Sequence, residues 1–139
     1  MSKETKTDYN AASRQFMNWF EWMQEKAFSV NEANGWWEER NRICDILETH
    51  GIDNGPHMLI ECLGLAGTEL SEAIEAVRKH DPKTWADASS KDTLVRELAG
   101  CIVRIMDIAS HERLPLAEAI IQEVRHNETR GHMHGGKRA

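Results

Sequence analysis

The chain has 139 residues, of which 40% are apolar, so it is long enough to bury one core without disulfides or a structural metal. Its net charge of -6 argues against a broad basic surface for nucleic-acid polymers. The N-terminal segment lacks a signal-peptide core, and no stretch approaches the roughly 20 apolar residues of a membrane span. We therefore expect a cytoplasmic protein with no membrane contact.

Two amphipathic helices are predicted in the first third of the chain. Apolar residues recur at spacings of three and four over 9–28, which predicts a first helix with Trp19 and Trp22 packed in the core. The pair Asn34-Gly35 indicates a turn, and a shorter helical pattern near 37–50 ends at Gly51. Three widely spaced cysteines lie in apolar segments and are predicted to be reduced core thiols: Cys44, Cys62 and Cys101.

Three further helices are predicted. Pro56 opens one over about 56–79, another over about 91–111 is apolar nearly all round and should be central, and Pro115 opens the last. No strand pattern occurs. The sequence therefore predicts an all-α bundle of four to five helices, with one domain over 1–130 and a basic, Gly-rich tail over 131–139.

Charged residues inside apolar helices are the main functional signal. Glu69 and Glu72 are three residues apart and so share a helix face. If the third and fourth helices pack antiparallel, Glu97 can face this pair. Clustered carboxylates repel one another unless a cation neutralises them, and oxygen ligands favour Mg²⁺, Mn²⁺ or Ca²⁺ over zinc. The alternative is a solvated helix face, against which the position of Glu97 inside an apolar helix argues.

The glutamates belong to a longer ordered set of motifs. Glu69-Leu-Ser-Glu72 is followed, after 24 residues, by Glu97-Leu-Ala. The pattern includes Gly35-Trp-Trp before it and Asn127-x-x-Arg130 with His134-Gly-Gly-Lys-Arg138 after it. This set resembles the MazG-like, all-α nucleoside triphosphate pyrophosphohydrolases, in their short phage and bacterial branch, and the likeness spans roughly residues 16–139.

The resemblance implies hydrolysis between the α and β phosphates of a nucleoside triphosphate, which gives a monophosphate and pyrophosphate. It implies Mg²⁺ as cofactor, with Mn²⁺ as a substitute, and a homodimer or homotetramer. Glu69, Glu72 and Glu97 match the catalytic and metal-binding positions. One of them, or Glu75 behind them, would orient the attacking water.

Two positions depart from the family pattern. Gly100 stands where a fourth carboxylate is expected, and Glu123 stands where a lysine is common. We hypothesise that Gly100 opens space beside the metal and that Glu123 restores the carboxylate from another helix. Asp107 is interpreted as a partner of Arg104 or Arg78 and not as a substitute ligand.

Substrate contacts are predicted on both sides of the carboxylates. Trp36 and Trp37 offer aromatic faces for the base, although packing in the core is the alternative. Ribose and phosphate contacts are predicted for Asn127, Arg130, Lys137 and Arg138, with an unstructured tail as the alternative. The shape of the pocket, more than the sequence, selects the base and the sugar.

Two other functions compete with the hydrolase. A di-iron protein needs two Glu-x-x-His motifs, whereas this chain offers only the one from Glu123 to His126. A catalytically silent nucleotide-binding or regulatory protein on the same scaffold is the stronger alternative, because Gly100 removes a ligand. Such a protein would bind nucleotide or metal without releasing pyrophosphate.

Overall fold

The computed structural model describes residues 3–130, with side chains from residue 10 onward. Five α-helices and one short 3-10 turn, Pro82–Thr84, make up its regular structure, and this part of the chain contains no strand. The prediction of an all-α chain of four to five helices is confirmed for these residues, which form five. The helices are α1 Lys3–Ala33, α2 Glu38–Glu48, α3 Gly55–Lys79, α4 Leu94–His111 and α5 Leu116–Thr129.

Backbone conformation explains where the helix ends differ from prediction. No Gly or Pro interrupts residues 3–33, so α1 runs well beyond the predicted 9–28 and ends before Gly35, whose φ is +78°. Asp92 has a φ of +61°, which an α-helix does not accommodate. For this reason α4 begins at Leu94 and not near residue 91.

The chain divides into two compact units. One consists of Gln24–Arg113 and contains the end of α1, α2, α3 and α4. The other combines the chain up to Met23 with the chain from Leu114, and so contains the rest of α1 and α5. Within this second unit the Phe16 and Phe20 rings are 5.3 Å apart, and Arg125 Nη2 donates to Asn10 Oδ1 at 3.3 Å. The prediction of one domain over 1–130 stays a prediction.

Helices α3 and α4 pack antiparallel in the larger unit. Ile108, near the end of α4, joins the core formed by the first half of α3, whereas Glu97, near the start of α4, lies beside Glu72 in the second half of α3. The core residues are Trp37, Met58, Cys62, Ala66 and Ile108. Cys62 is buried, which raises the pKa of its thiol through desolvation. Helices α3 and α4 are therefore antiparallel, which is the arrangement that the sequence argument required for Glu97 to face Glu69 and Glu72.

A buried carboxylate connects α4 to the turn before α2. Asp107 is only 2% exposed, and its two oxygens accept hydrogen bonds from Trp37 Nε1 at 2.9 Å and Asn31 Nδ2 at 2.8 Å. The Trp37 ring stacks on His111 with 3.9 Å between centroids. The interpretation of Asp107 as a partner of Arg104 or Arg78 was wrong. A carboxylate taken out of water needs donors, and Asn31 and Trp37 supply them.

Several large apolar side chains face outward. Trp19 and Trp22 are 59% and 56% exposed, so their predicted place in a core was wrong for the single chain. Helix α4 is fully buried over only one turn near its C-terminal end, since its buried residues are confined to 106–109. Five apolar side chains elsewhere on it are exposed: Val95, Leu98, Ile102, Val103 and Ile105. Helix α3 exposes a similar set: Ile60, Leu63, Leu70, Ile74 and Val77.

Replacing Asp107 by Ala should destabilise the fold by about 2–4 kcal/mol, because the Trp37 and Asn31 donors would stay buried without an acceptor. Urea denaturation followed by circular dichroism measures this change. Asp45→Ala, at an exposed position on α2, is the control and should change stability by less than about 0.5 kcal/mol. Equal losses in both variants would contradict the structural role of the Asp107 hydrogen bonds.

Candidate metal centre

Three carboxylates from two helices converge in the larger unit. Glu69 and Glu72 lie one turn apart on α3, and Glu97 lies in the first turn of α4. Each offers one carboxylate oxygen, and these oxygens all lie within 4.8 Å of one another. Glu69 and Glu97 are half-buried and Glu72 is exposed. The sequence argument named this trio, and the antiparallel packing of α3 and α4 brings it together.

Repulsion from the neighbouring carboxylates affects the pKa of Glu97. Its pKa is raised above the ordinary value, first by desolvation and then by the negative charges of Glu72 and Glu69 and a hydrogen bond with Glu72. Asp92 adds a smaller effect in the same direction. The cluster therefore concentrates negative charge, which is an arrangement that a divalent cation would stabilise.

Gly100 lies directly beneath one of these carboxylates. A Cβ atom at Gly100 would be 2.5 Å from Glu69 Oε2, and the three nearest heavy atoms to that position all belong to Glu69. The space that a side chain would take at this position is therefore held by Glu69 itself. Glu123, proposed from sequence to restore the lost carboxylate, lies on α5 in the other unit, so its role as a ligand stays a prediction.

Arg104 supplies the cation closest to the cluster. It follows Gly100 by one helical turn, and its Nε donates to Glu69 Oε1 at 2.5 Å. Its guanidinium also lies over the Trp36 ring, 5.4 Å from the centroid. The same ring carries Arg40 at 4.6 Å, whose Nη2 pairs with Glu61 Oε1 at 2.9 Å. Sequence reasoning offered Arg104 as one of two possible partners of Asp107 and missed this contact.

The predicted substrate-binding residues have different surroundings. Trp37 is 2% exposed and stacks on His111, so in the single chain it has no open face for a base. Trp36 is half-buried between two guanidiniums. Asn127 and Arg130 lie at the end of α5 in the other unit. Lys137 and Arg138 fall outside the described residues.

Glu75 continues the acidic face of α3 but is already neutralised. It accepts from Lys79 Nζ at 2.9 Å and from Arg78 Nη1 at 3.0 Å. These contacts, with Lys79 the larger cause, lower the pKa of its carboxyl group. Glu75 is therefore bound to cations of its own helix and is a weaker candidate than Glu72 for orienting a water.

A cleft of about 420 Å³ adjoins the carboxylates at the end of α3. Its lining includes Glu72, Glu75, Ala76 and Glu97, together with Lys79, His80 and Asp92. Sequence reasoning missed these last three residues. Their positions in the sequence could have indicated them, because the end of one helix lies beside the start of its antiparallel neighbour.

Comparison with models of known protein families, with curated proteins and with solved structures found no match. The resemblance to the MazG-like family consequently stays a prediction that rests on the motifs and their spacing. Within residues 3–130, no helix is long and apolar enough to cross a membrane.

Glu97→Gln should raise the Tm of the metal-free protein by about 1–3 °C near neutral pH, because it removes one of three repelling charges. The raised pKa means that folded Glu97 holds its proton at pH values where the unfolded chain has lost it. Stability therefore falls as pH rises from the ordinary value of 4.5 through the raised value. The variant should lack this fall.

Thermal unfolding in EDTA across pH 4–8 measures both effects. The exposed Glu39 of α2 provides a control, since Glu39→Gln makes the same charge change away from the cluster. Mg²⁺ should raise the Tm of the parent chain more than that of Glu97→Gln. A Tm gain for Glu97→Gln no larger than for the control would contradict repulsion within the cluster.

Proposed function

We propose that this chain is a Mg²⁺-dependent nucleoside triphosphate pyrophosphohydrolase, which cleaves a ribo- or deoxynucleoside triphosphate to the monophosphate and pyrophosphate. The observation that carries the proposal is the convergence of Glu69, Glu72 and Glu97, with ligand oxygens within 4.8 Å of one another. The reaction itself comes from the resemblance of the motif order to the MazG-like enzymes. The convergence supports that reading because it joins the two halves of the motif.

The donor set fits a hard divalent cation. Glu69, Glu72 and Glu97 would hold such an ion, because each offers one carboxylate oxygen and these oxygens lie within 4.8 Å of one another. Carboxylate oxygens favour Mg²⁺ or Mn²⁺, and no thiol or imidazole belongs to the described cluster. A bound ion of this kind neutralises phosphate oxygens and lowers the pKa of a coordinated water.

The adjoining cleft suits a polyphosphate. Its volume of about 420 Å³ lies within the range of small-molecule sites. Its lining holds four carboxylates, together with Lys79 and His80, and Lys79 already pairs with Glu75 at 2.9 Å. The carboxylates are Glu72, Glu75, Asp92 and Glu97, so cations bound to them would be needed to balance the charge of a polyphosphate here. A nucleoside triphosphate has complementary chemistry, because its phosphates bind both metal ions and cationic side chains.

The three carboxylates would take different parts in the reaction. Glu72 is the exposed member, so it is the best placed to accept a proton from the attacking water with an oxygen that does not bind metal. Glu69 is held by Arg104 and Glu97 is fixed in the first turn of α4, so these two serve chiefly as ligands. Glu69, Glu72 and Glu97 remain the residues on which activity depends.

Pyrophosphate release with Mg²⁺, measured across ribo- and deoxynucleoside triphosphates, tests this function. Glu97→Ala should lower kcat/KM by at least about 100-fold, since even residues behind a metal ligand cost 10–100-fold when removed. Glu61→Ala is the matched control on α3, because Glu61 pairs with Arg40 and is not part of the cluster. Release no higher in the parent chain than in Glu97→Ala would refute the enzyme for this panel.

A nucleotide-binding protein without turnover is the second candidate. It is favoured by the contact of Glu69 with Gly100 and Arg104, which replaces a fourth carboxylate by bare backbone and a cation. This protein would bind nucleotide and Mn²⁺ but release no pyrophosphate. The same panel, followed by equilibrium binding of the nucleotides, separates the two candidates.

A homodimer or homotetramer is part of the proposal. The exposed apolar residues of α3, and those of α4 apart from Val103, recur at spacings of three, four and seven, and so form one stripe along each helix. Ile74 and Ile102, which belong to these stripes, are 58% and 52% exposed. Monomers rarely expose apolar surface of this extent, whereas a second copy of the chain would cover it.

Ile102→Glu should shift the chain toward monomer, because a charge at the centre of an apolar interface is costly to bury. Sedimentation velocity at several protein concentrations measures the shift. Ile52→Glu is the control, since Ile52 is equally exposed but lies between α2 and α3. A parent chain that stays monomeric at tens of micromolar would refute the proposed assembly.

A further inference from the structure

Arg104 and Glu69 form the least exposed ion pair at the carboxylate cluster. The Glu69 side chain is 15% exposed and that of Arg104 is 34% exposed, with 2.5 Å between Nε and Oε1. The other oxygen of Glu69 lies against Gly100. Both carboxylate oxygens of Glu69 therefore have a neighbour on α4, and Arg104 already offsets the charge of this carboxylate.

Trp36 provides a second contact for the same guanidinium. Arg104 lies 5.4 Å above the ring centroid, a distance at which cation–π attraction operates. Arg40 contacts the same ring but pairs with Glu61, outside the cluster. Arg104 pairs with Glu69, whereas Arg40 pairs with Glu61. Arg40 is therefore a suitable control for Arg104.

Metal and arginine would need the same carboxylate. A divalent ion bound by Glu69, Glu72 and Glu97 requires an oxygen of Glu69. Of its two oxygens, Oε1 already accepts from Arg104 and Oε2 faces Gly100. Two cations close to one carboxylate repel each other, so metal binding weakens the contact with Arg104. The contact with Trp36 would keep the released guanidinium beside the site.

We propose that Arg104 is an internal counter-cation of Glu69, which a divalent ion displaces and which then binds a phosphate of the substrate. The inference rests on the proposed metal site and adds a regulation of it. A guanidinium is well shaped for phosphate, since two parallel N–H groups match two phosphate oxygens. Metal and nucleotide then bind with positive coupling, because each favours the same movement of Arg104.

The test compares metal affinity and nucleotide affinity in Arg104→Gln and Arg40→Gln. Mn²⁺ alone is titrated into the full chain, and free Mn²⁺ is followed by its electron paramagnetic resonance signal. Arg104→Gln should bind Mn²⁺ roughly tenfold more tightly than the parent, which corresponds to about 1.4 kcal/mol. Arg40→Gln, which removes the same charge from the same ring, should stay within about twofold of the parent.

Nucleotide affinity should change in the opposite direction. An α,β-methylene nucleoside triphosphate, which is not cleaved between these phosphates, should bind about tenfold more weakly to Arg104→Gln in saturating Mn²⁺. A general loss of structure would weaken both ligands, so the opposite signs distinguish displacement from damage. Arg104→Lys keeps the charge and should keep the parent affinity for Mn²⁺ within about threefold, with circular dichroism confirming that each variant folds.

The outcomes separate this inference from the enzyme. Mn²⁺ affinity in Arg104→Gln equal to or weaker than that of the parent overturns the counter-cation, as does equal tightening in Arg104→Lys. A parent chain that binds no more Mn²⁺ than Glu97→Ala overturns the metal site and the inference with it. Tighter Mn²⁺ binding and weaker nucleotide binding in Arg104→Gln support the inference even if no pyrophosphate is released.

Discussion

The close antiparallel contact of α3 and α4 is the constraint on which both the core and the candidate site depend. Ala66, Ala73 and Ala76 are buried on α3, and their small side chains let the two helices approach each other. At one end this contact encloses Ile108 in the core, and at the other it brings Glu97 to Glu69 and Glu72. A larger residue at one of these alanines would separate the carboxylates as well as open the core.

The two ends of this helix pair handle charge in opposite ways. At the core end, Asp107 is buried with two neutral donors, so its hydrogen bonds are satisfied and the region is fixed. At the site end, three carboxylates repel one another, and among residues 10–130 the close cationic partner is Arg104, which pairs with Glu69. Stability is thus concentrated away from the site, which is the usual distribution where a cluster of like charges serves binding.

The surfaces of α3 and α4 also combine apolar and charged regions. Exposed apolar stripes run along α3 and α4, and the charged cleft is lined from the same two helices, so this helix pair holds the residues of both the proposed interface and the proposed metal site. Such an arrangement would let assembly stiffen the helices that carry Glu72 and Glu97. The exposed Trp19 and Trp22 add a further apolar surface on α1.

The sequence by itself determined the five helices and the shared face of Glu69 and Glu72, because helical periodicity and a spacing of three depend only on local geometry. It also pointed to Glu97, since a charge inside an apolar run needs an explanation. Only the tertiary structure decided that Arg104 pairs with Glu69 and Asp107 with Trp37 and Asn31. Periodicity fixes the face on which a residue lies, but the register between packed helices decides which residue it meets. For the same reason, the proximity of Gly100 to Glu69 and the cleft beside Lys79 and Asp92 required the packed helices.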